Sequence, residues 1–342
     1  MAKKALGLDI DYAGIRAAEV VRRGRSRVVS NLAVQPLPAG TIFDGKVVDM
    51  LALVRGLEAL LEKGEITADS AVLGLRSSWV TVKTHRLPSM TKRELDRAVQ
   101  FEIPDLVYFP VEDLGEVCYD YFINSRSDSE VEIVVAACPR EHLAPYIDAL
   151  RGVNLNLEIV DLPSFSWPEL LPGEKRRAFV EITEDQTTVQ VLTEGLFKVW
   201  RVVPLGALHF RQGVQEAFGC TAEEAEGLCA QHDLDYLLLE GPGDKRVLRA
   251  AVQQLVGSVL QTLDFVRAQE RAASFQSLLD ELVLLGTLAD LPGLGEMLGK
   301  EVGLPARTLG SLDLRLGFEI ERPERLSGFG SALALGVRGI SA

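Results

Sequence analysis

Cysteine and histidine are scarce, with four of each among 342 residues. Cys118, Cys138, Cys220 and Cys229 form no C-x-x-C pair, and no cluster of cysteines and histidines large enough for a metal-ligand set stands in the sequence. That excludes the common zinc and dithiol patterns and leaves four small, buried apolar side chains as the expectation. His85, His142, His209 and His232 are equally dispersed and support no Ser-His-Asp arrangement. No apolar run approaches the ~18 residues of a membrane span. The opening "MAKKALGLDID" turns acidic too early for a secretory signal. The expectation is a cytoplasmic chain. Positive charge is also short: the net charge is −13, which argues against nucleic acid, because neutralising phosphate takes Lys and Arg. Arg22, Arg23, Arg25 and Arg27 crowd together where a hairpin turn is expected and read as a solvated turn.

What is present is a repeat. Such a length suggests at least two lobes. "ALGLDID", "IRAAEVVRR" and "RVVSNLAVQPL" read as a three-stranded antiparallel meander with short turns. A helix from Val48 to Lys63 follows, with Leu51, Val54, Leu57, Leu60 and Leu61 on one face and Gly64 at the C-cap. After "LPSM" a separate α+β unit begins. Thr91 and Glu94 make a capping box for a helix that Pro104 is expected to end. Strands "VCYDYFI" and "EVEIVVAAC" and the helix "PREHLAPYIDALRG" complete it. Then "RAFVEITED", "TTVQVLTEG" and "LFKVWRVVPLG" repeat the meander, placing Glu181 where Asp9 stood and Thr183 where Asp11 stood. Duplicated lobes imply a cleft between them. Helices follow, among them one from about Val247 to Gln269 with an apolar stripe through Leu248, Val252, Leu255, Val259, Leu263 and Val266. "ELVLLGTL" reads as a buried strand and "SGFGSALALGVRG" as a small-residue helix packing back on the body.

The hairpin repeat with an acidic tip, together with "LLGTLADLPGL", resembles the actin-like nucleotide-binding superfamily. Within it, the order of segments is similar to the PilM family of cytoplasmic type IV pilus assembly proteins. "LPSMTKRELDRAVQFEIPDLVYFPVEDL" resembles that family's inserted subdomain, and "VVAACPREHLAPYIDALRGVNLNLEIVDLPSFS" its return to the first lobe. "VPLGALHFRQGVQEAFGCTAEEAEGL" and "LQTLDFVRAQ" resemble its second-lobe helices, and "SGFGSALALGV" its last helix. The resemblance spans nearly the whole chain. It implies an α/β, actin-like (ribonuclease H-like) fold of two lobes. Subdomain 1A is expected at 1–84 with 156–176 and 321–342, 1C at 85–155, 2A at 177–205 with 281–320, and 2B at 206–280. It implies a scaffold at the inner face of the cytoplasmic membrane that meets the membrane only through partners. Those partners are the N-terminal cytoplasmic peptide of the membrane protein PilN, held in a 1A/1C groove, and other pilus platform proteins. Many members also hold Mg-ATP between the lobes.

Three loops carry that nucleotide chemistry, and this sequence departs at each. The first phosphate loop, usually Asp-x-Gly, reads Asp9-Ile10-Asp11, before Gly14. Glycine lets backbone N–H groups reach phosphate. Asp11 instead adds bulk and charge, and two unit charges about 5 Å apart at an effective dielectric of about 20 repel by about 3 kcal/mol. The second loop reads Glu181-Ile182-Thr183, leading to Gln186, and the adenosine loop has Thr287 and Leu288 after Gly286. The expectation is a degenerate cleft that binds Mg-ATP weakly or not at all, and no enzyme. The counter-reading keeps Asp9 and Glu181 around a magnesium-bound water; solvated strand ends are a third account of that acidic pair.

Binding then carries the function. The expected groove residues are Arg76, Ser78, Val80, Leu87, Pro88 and Met90, leading into the insert, with Phe101, Tyr108, Phe109 and Pro110 beyond its first helix. Aromatic anchors suit a peptide, although the same rings also suit the insert's own core. Alternatives are an ATP-binding actin-like switch, the cytoplasmic domain of a type II secretion L-type protein, and a division protein of the FtsA type. The secretion protein expects a membrane span after the domain. The last expects a basic, aromatic C-terminal helix unlike "LALGVRGISA".

Overall fold

The computed structural model describes residues 3–76 and 79–341. β1 (Lys4–Ile10), β2 (Gly14–Arg23) and β3 (Ser26–Pro36) form the antiparallel meander. A short pair, β4 (Ile42–Phe43) and β5 (Lys46–Val47), leads to α1 (Met50–Lys63). The Asp49 carboxylate starts this helix by accepting the Ala52 N–H at 2.9 Å. Gly64 follows in right-handed geometry, φ −81°. Its lack of a side chain answers crowding instead, since a Cβ would lie 2.7 Å from that of Ala33. β6 (Ser70–Gly74) then runs parallel to β1.

The insert begins with β7 (Thr81–Pro88), a little before the expected residue 85, and continues through α2 (Lys92–Leu106), β8 (Val117–Arg126) and β9 (Glu130–Pro139). Its sheet runs β7-β9-β8. The Thr91/Glu94 capping box forms. Pro104 does not end α2, which continues to Leu106. Pro104 itself is exposed, while Ile103 and Leu106 on either side are buried in the insert core. Burial there outweighs the missing N–H of proline. The chain returns through α3 (Arg140–Gly152), β10 (Asn156–Asp161) and α4 (Pro163–Ser166).

The second lobe holds β11 (Arg177–Ile182), β12 (Thr187–Thr193), β13 (Leu196–Val203), α5 (Ala207–Phe218), α6 (Ala222–Gln231), α7 (Arg246–Gln269), α8 (Phe275–Leu278), β14 (Glu281–Gly286), α9 (Leu294–Val302) and β15 (Ala306–Thr308). β16 (Gly317–Phe318) pairs with β3 of the first lobe, so the expected 281–320 segment does not stay in the second. α10 (Gly330–Ser341) closes the chain. The duplication is visible in the sheets. One contains β10-β6-β1-β2-β3 in order, the other β15-β14-β11-β12-β13, with matching strand directions. The α7 stripe is buried throughout.

Small residues let α10 rest directly on β1. A Cβ on Gly7 would lie 2.0 Å from the Ala332 carbonyl oxygen and 2.3 Å from the Gly336 nitrogen. Around this contact one apolar cluster joins both lobes, with Trp167, Leu333 and Val337 meeting Phe179, Val283 and Leu285. Gly7→Ala is therefore expected to cost about 1–3 kcal/mol by overpacking, read as a lower denaturant midpoint at unchanged slope. A wild-type midpoint would mean that α10 lifts from β1 freely.

Candidate functional site

The tips of β1 and β11 face each other across the cleft, and the strand β6 supplies what lies between them. Gly74 pairs with Asp9, so the chain leaving β6 carries Arg76 straight to the gap. Its guanidinium donates from Nε to Asp9 Oδ1 at 2.6 Å and from Nη2 to Asp9 Oδ2 at 3.3 Å. On the other side, Nη1 and Nη2 each donate to a Glu181 oxygen at 2.7 Å. Nη2 also reaches Ser331 Oγ at 3.0 Å. Ser331 donates in turn to Glu181 and accepts the Trp167 indole N–H. All three ionic groups are buried, with side-chain exposures of 7% for Arg76, 3% for Asp9 and 2% for Glu181. Burial pulls the guanidinium pKa down, but the two carboxylates more than reverse it and hold it well above its ordinary value. Burial pushes the Glu181 carboxyl above its usual range against the pull of Arg76.

Arg76 thus stands in the cleft and not in the groove where the sequence placed it. The sequence hid this because Arg76 precedes the insert by only a few residues. What fixes its position is the parallel pairing of β6 with β1.

Each tip is closed on itself. Asp11 Oδ1 accepts the backbone N–H groups of Ala13 and Gly14 at 2.9 and 3.1 Å, and Oδ2 accepts from Arg16 at 2.9 Å. A side chain at Gly14 would strike the Gln35 carbonyl oxygen at 2.4 Å. In the second tip, the Thr183 N–H and hydroxyl both donate to the Gln186 carbonyl, at 2.9 and 3.0 Å. The first turn of α5 is engaged too: Ala207 and Leu208 N–H groups donate to the carbonyls of Thr183 and Glu184 at 2.9 and 2.8 Å. Glu184 pairs with Arg211. At the end of β14, Gly286 adopts φ +90°, and a Cβ there would meet the Ile182 oxygen at 2.2 Å. The Thr287 hydroxyl donates to that same oxygen at 3.4 Å. Leu288 is buried in the second-lobe core, beside Phe210 and Leu255. Arg76 thus brings the first two loops together and the Ile182 oxygen joins the second to the third, while the sequence missed the arginine.

A concavity of about 690 Å³ lies elsewhere, between the insert, the first lobe and the β12–β13 hairpin. Consecutive residues of β8 (Tyr119, Asp120, Tyr121, Phe122) and of β10 (Ile159, Val160, Asp161) line it. Side chains alternate along a strand, so consecutive lining residues mean that each strand presents its edge. Both are edge strands of their sheets. Leu75, Val80, Cys138, Leu162 and Phe165 supply an apolar wall, with Asp120, Glu169 and Arg338 also lining the cavity. Cys118 and Cys138 are cross-strand partners in that wall and are free thiols. At one end Phe122, Phe165 and Phe197 meet edge to face, with centroids 5.4 to 6.5 Å apart. The Asn124 side chain holds the Phe197 backbone there, donating to its oxygen at 3.0 Å and accepting its N–H at 2.9 Å.

Of the groove residues expected from sequence, Val80 alone among the described ones lines this cavity. Leu87, Met90 and Phe109 pack against α2 on the other face of the insert sheet. Pro88 and Pro110 are exposed, as are Phe101 at 82% and Tyr108 at 75%. Ser78 lies outside the described residues. The sequence could not say which sheet face α2 covers, and α2 took the face bearing Leu87, Val131, Ile133 and Val135.

The model of the family described as "Type IV pilus assembly protein PilM" matches residues 7–334. The chain belongs to the PilM family. A solved structure described as the PilM-PilN type IV pilus biogenesis complex is similar over 98% of both chains, with TM-score 0.81 and 22% identity. Ethanolamine utilization protein EutJ from Carboxydothermus hydrogenoformans matches over 98% of this chain and 89% of its own, with TM-score 0.54 and 13% identity. MreB 5 of Spiroplasma citri, bound to AMPPNP, matches over 98% and 95%, with TM-score 0.53 and 10% identity. The fold of this PilM-family chain is accordingly actin-like and α/β. Among the described residues no helix is long and apolar enough to cross a membrane.

Removing the central cation tests the cleft. Arg76→Ala leaves two buried carboxylates unpaired and is expected to cost about 3–5 kcal/mol near neutral pH. Burial already raises the Glu181 carboxyl pKa against the pull of Arg76, and without that cation it rises further above its unfolded value of about 4.3. A raised carboxyl pKa favours the folded state below the unfolded pKa and costs stability as pH climbs. The deficit relative to wild type should therefore shrink between about pH 7 and about pH 4.5, followed by thermal melts at both. Equal deficits would assign Arg76 a packing role only.

Proposed function

We propose that this PilM-family chain is a scaffold of the type IV pilus assembly platform that grips an extended cytoplasmic peptide of a PilN-like membrane protein, and that no nucleotide turnover is involved. The observation that carries this reading is the groove between the open edges of β8 and β10. An edge strand offers unpaired N–H and C=O groups. A peptide laid along it gains main-chain hydrogen bonds, while alternate side chains enter the apolar wall. Family membership and the similar PilM-PilN complex support the same partner. A partner anchored in the membrane would station the chain at the inner face of the cytoplasmic membrane.

The residues of the cleft do not fit Mg-ATP. A guanidinium stands between Asp9 and Glu181, the two carboxylates that a magnesium-bound water would need. The Asp11 carboxylate takes the Ala13 and Gly14 N–H groups that a phosphate would need. We therefore read the cleft as degenerate, a joint between lobes in place of a ligand site.

Two measurements test this. Anisotropy of a labelled synthetic peptide, matching the cytoplasmic N-terminus of a PilN-like protein from the same organism, should report binding. Phe122→Arg should weaken it at least about tenfold with little change in melting temperature, because Phe122 is 41% exposed. Tyr108→Ala, on the opposite face, should leave it unchanged; the reverse pattern would move the site to the α2 side. Calorimetric titration with Mg-ATP up to about 1 mM should give no binding heat, since the Arg76 guanidinium fills the space between Asp9 and Glu181 and the Asp11 carboxylate takes the N–H groups a phosphate would need; micromolar binding would overturn the degenerate reading.

A further inference from the structure

β12 alternates, and one of its residues breaks the chemistry of its surroundings. Val189 and Val191 point into the second-lobe core. Period two turns Gln190 to the other face, toward the first lobe. There it lines the groove together with Leu192. Gln190 is only 1% exposed, yet among the described residues its amide oxygen Oε1 has no hydrogen-bond donor. A buried acceptor left without a donor lowers stability, and an apolar side chain of the same shape would remove that cost. The neighbouring groups offer no reason for a carboxamide in this strand interior. The groove does.

We propose that Gln190 is a recognition residue of the peptide groove: its amide oxygen accepts a hydrogen bond from an N–H of the bound segment. This rests on the reading of the cavity as a peptide site, and it extends that reading, because Gln190 belongs to the second lobe. The groove then has three recognising walls: β8 of the insert, β10 of the first lobe and β12 of the second. Gln190 lines the cavity, and its amide reorients by rotation about the last side-chain torsion, which is soft. The second lobe is also held in register with the other walls. Phe197, on the strand paired with β12, is tied by Asn124 to β8 and packs on Phe122 and Phe165. A ligand bonded to Gln190 therefore touches both lobes at once.

The test is Gln190→Leu in the full chain, with Gln190→Met as a second variant should the leucine form fail to fold. The probe is the same labelled PilN peptide, and each variant is also melted without it. The expected result is a melting temperature equal to or above that of wild type, together with peptide affinity weaker by about tenfold. A purely structural glutamine would give the opposite on stability, so a clearly lower melting temperature in both variants would overturn the proposal. Unchanged affinity would also overturn it. Phe122→Arg separates the two levels: if that variant abolishes binding and Gln190→Leu does not, only the role of Gln190 fails. If neither variant matters, the groove itself is not the peptide site.

Discussion

One guanidinium between two carboxylates fixes how the lobes of this molecule sit. Asp9 comes from the first lobe, Glu181 from the second, and Arg76 from the strand end that runs beside Asp9. Buried like charges at two facing strand tips would drive the lobes apart. A planar cation with several donors turns that repulsion into a clasp, and only arginine brings donors in a fork that can serve both carboxylates. Ser331 extends the clasp to α10, and Trp167 extends it to the apolar cluster that both lobes share. The polar contact and the apolar contact therefore reinforce one another: the cluster excludes water, and exclusion of water makes the ionic contact costly to open.

The tips beside the clasp follow the same logic. A hairpin that exposes several N–H groups attracts an anion. Here the anion is the chain's own Asp11, satisfied by Ala13, Gly14 and Arg16. The second tip spends its donors on Gln186 and receives the first turn of α5. Gly206 has to be glycine at that junction, since a Cβ would lie 2.6 Å from both the Gln186 nitrogen and the Glu184 oxygen. Backbone groups that would otherwise invite a ligand are thus paired within the molecule.

Much of this was legible in the sequence, and the failures have physical causes. Helix caps and apolar periods are local, so α1, α2 and α7 could be read from a few residues each. The meander repeat gave the two tips and paired Asp9 with Glu181. Pro104 misled because its local penalty competes with burial of Ile103 and Leu106, which only the folded insert reveals. Arg76 was assigned to the wrong feature, although a signal was present: in a duplicated unit of meander, helix and strand, the last strand runs parallel to the first, so both end at the same cleft. The groove was least legible. Its walls come from β8, β10 and β12, segments remote in sequence, and choosing between the two faces of the insert sheet needs the packing of α2.

Those remote walls also tie the groove to the clasp. β6 is the neighbour of both β1 and β10, so the strand that delivers Arg76 to the cleft also carries the groove edge on its other side. Leu75, the residue next to Arg76, lines the groove wall. On the second lobe, β12 bears Gln190 and pairs with β11, which bears Glu181. Any rotation of the lobes about the clasp therefore shifts β12 against β10 and changes the groove's width. Here the cation that resists it is part of the chain, so the shape of the groove is set by the fold itself.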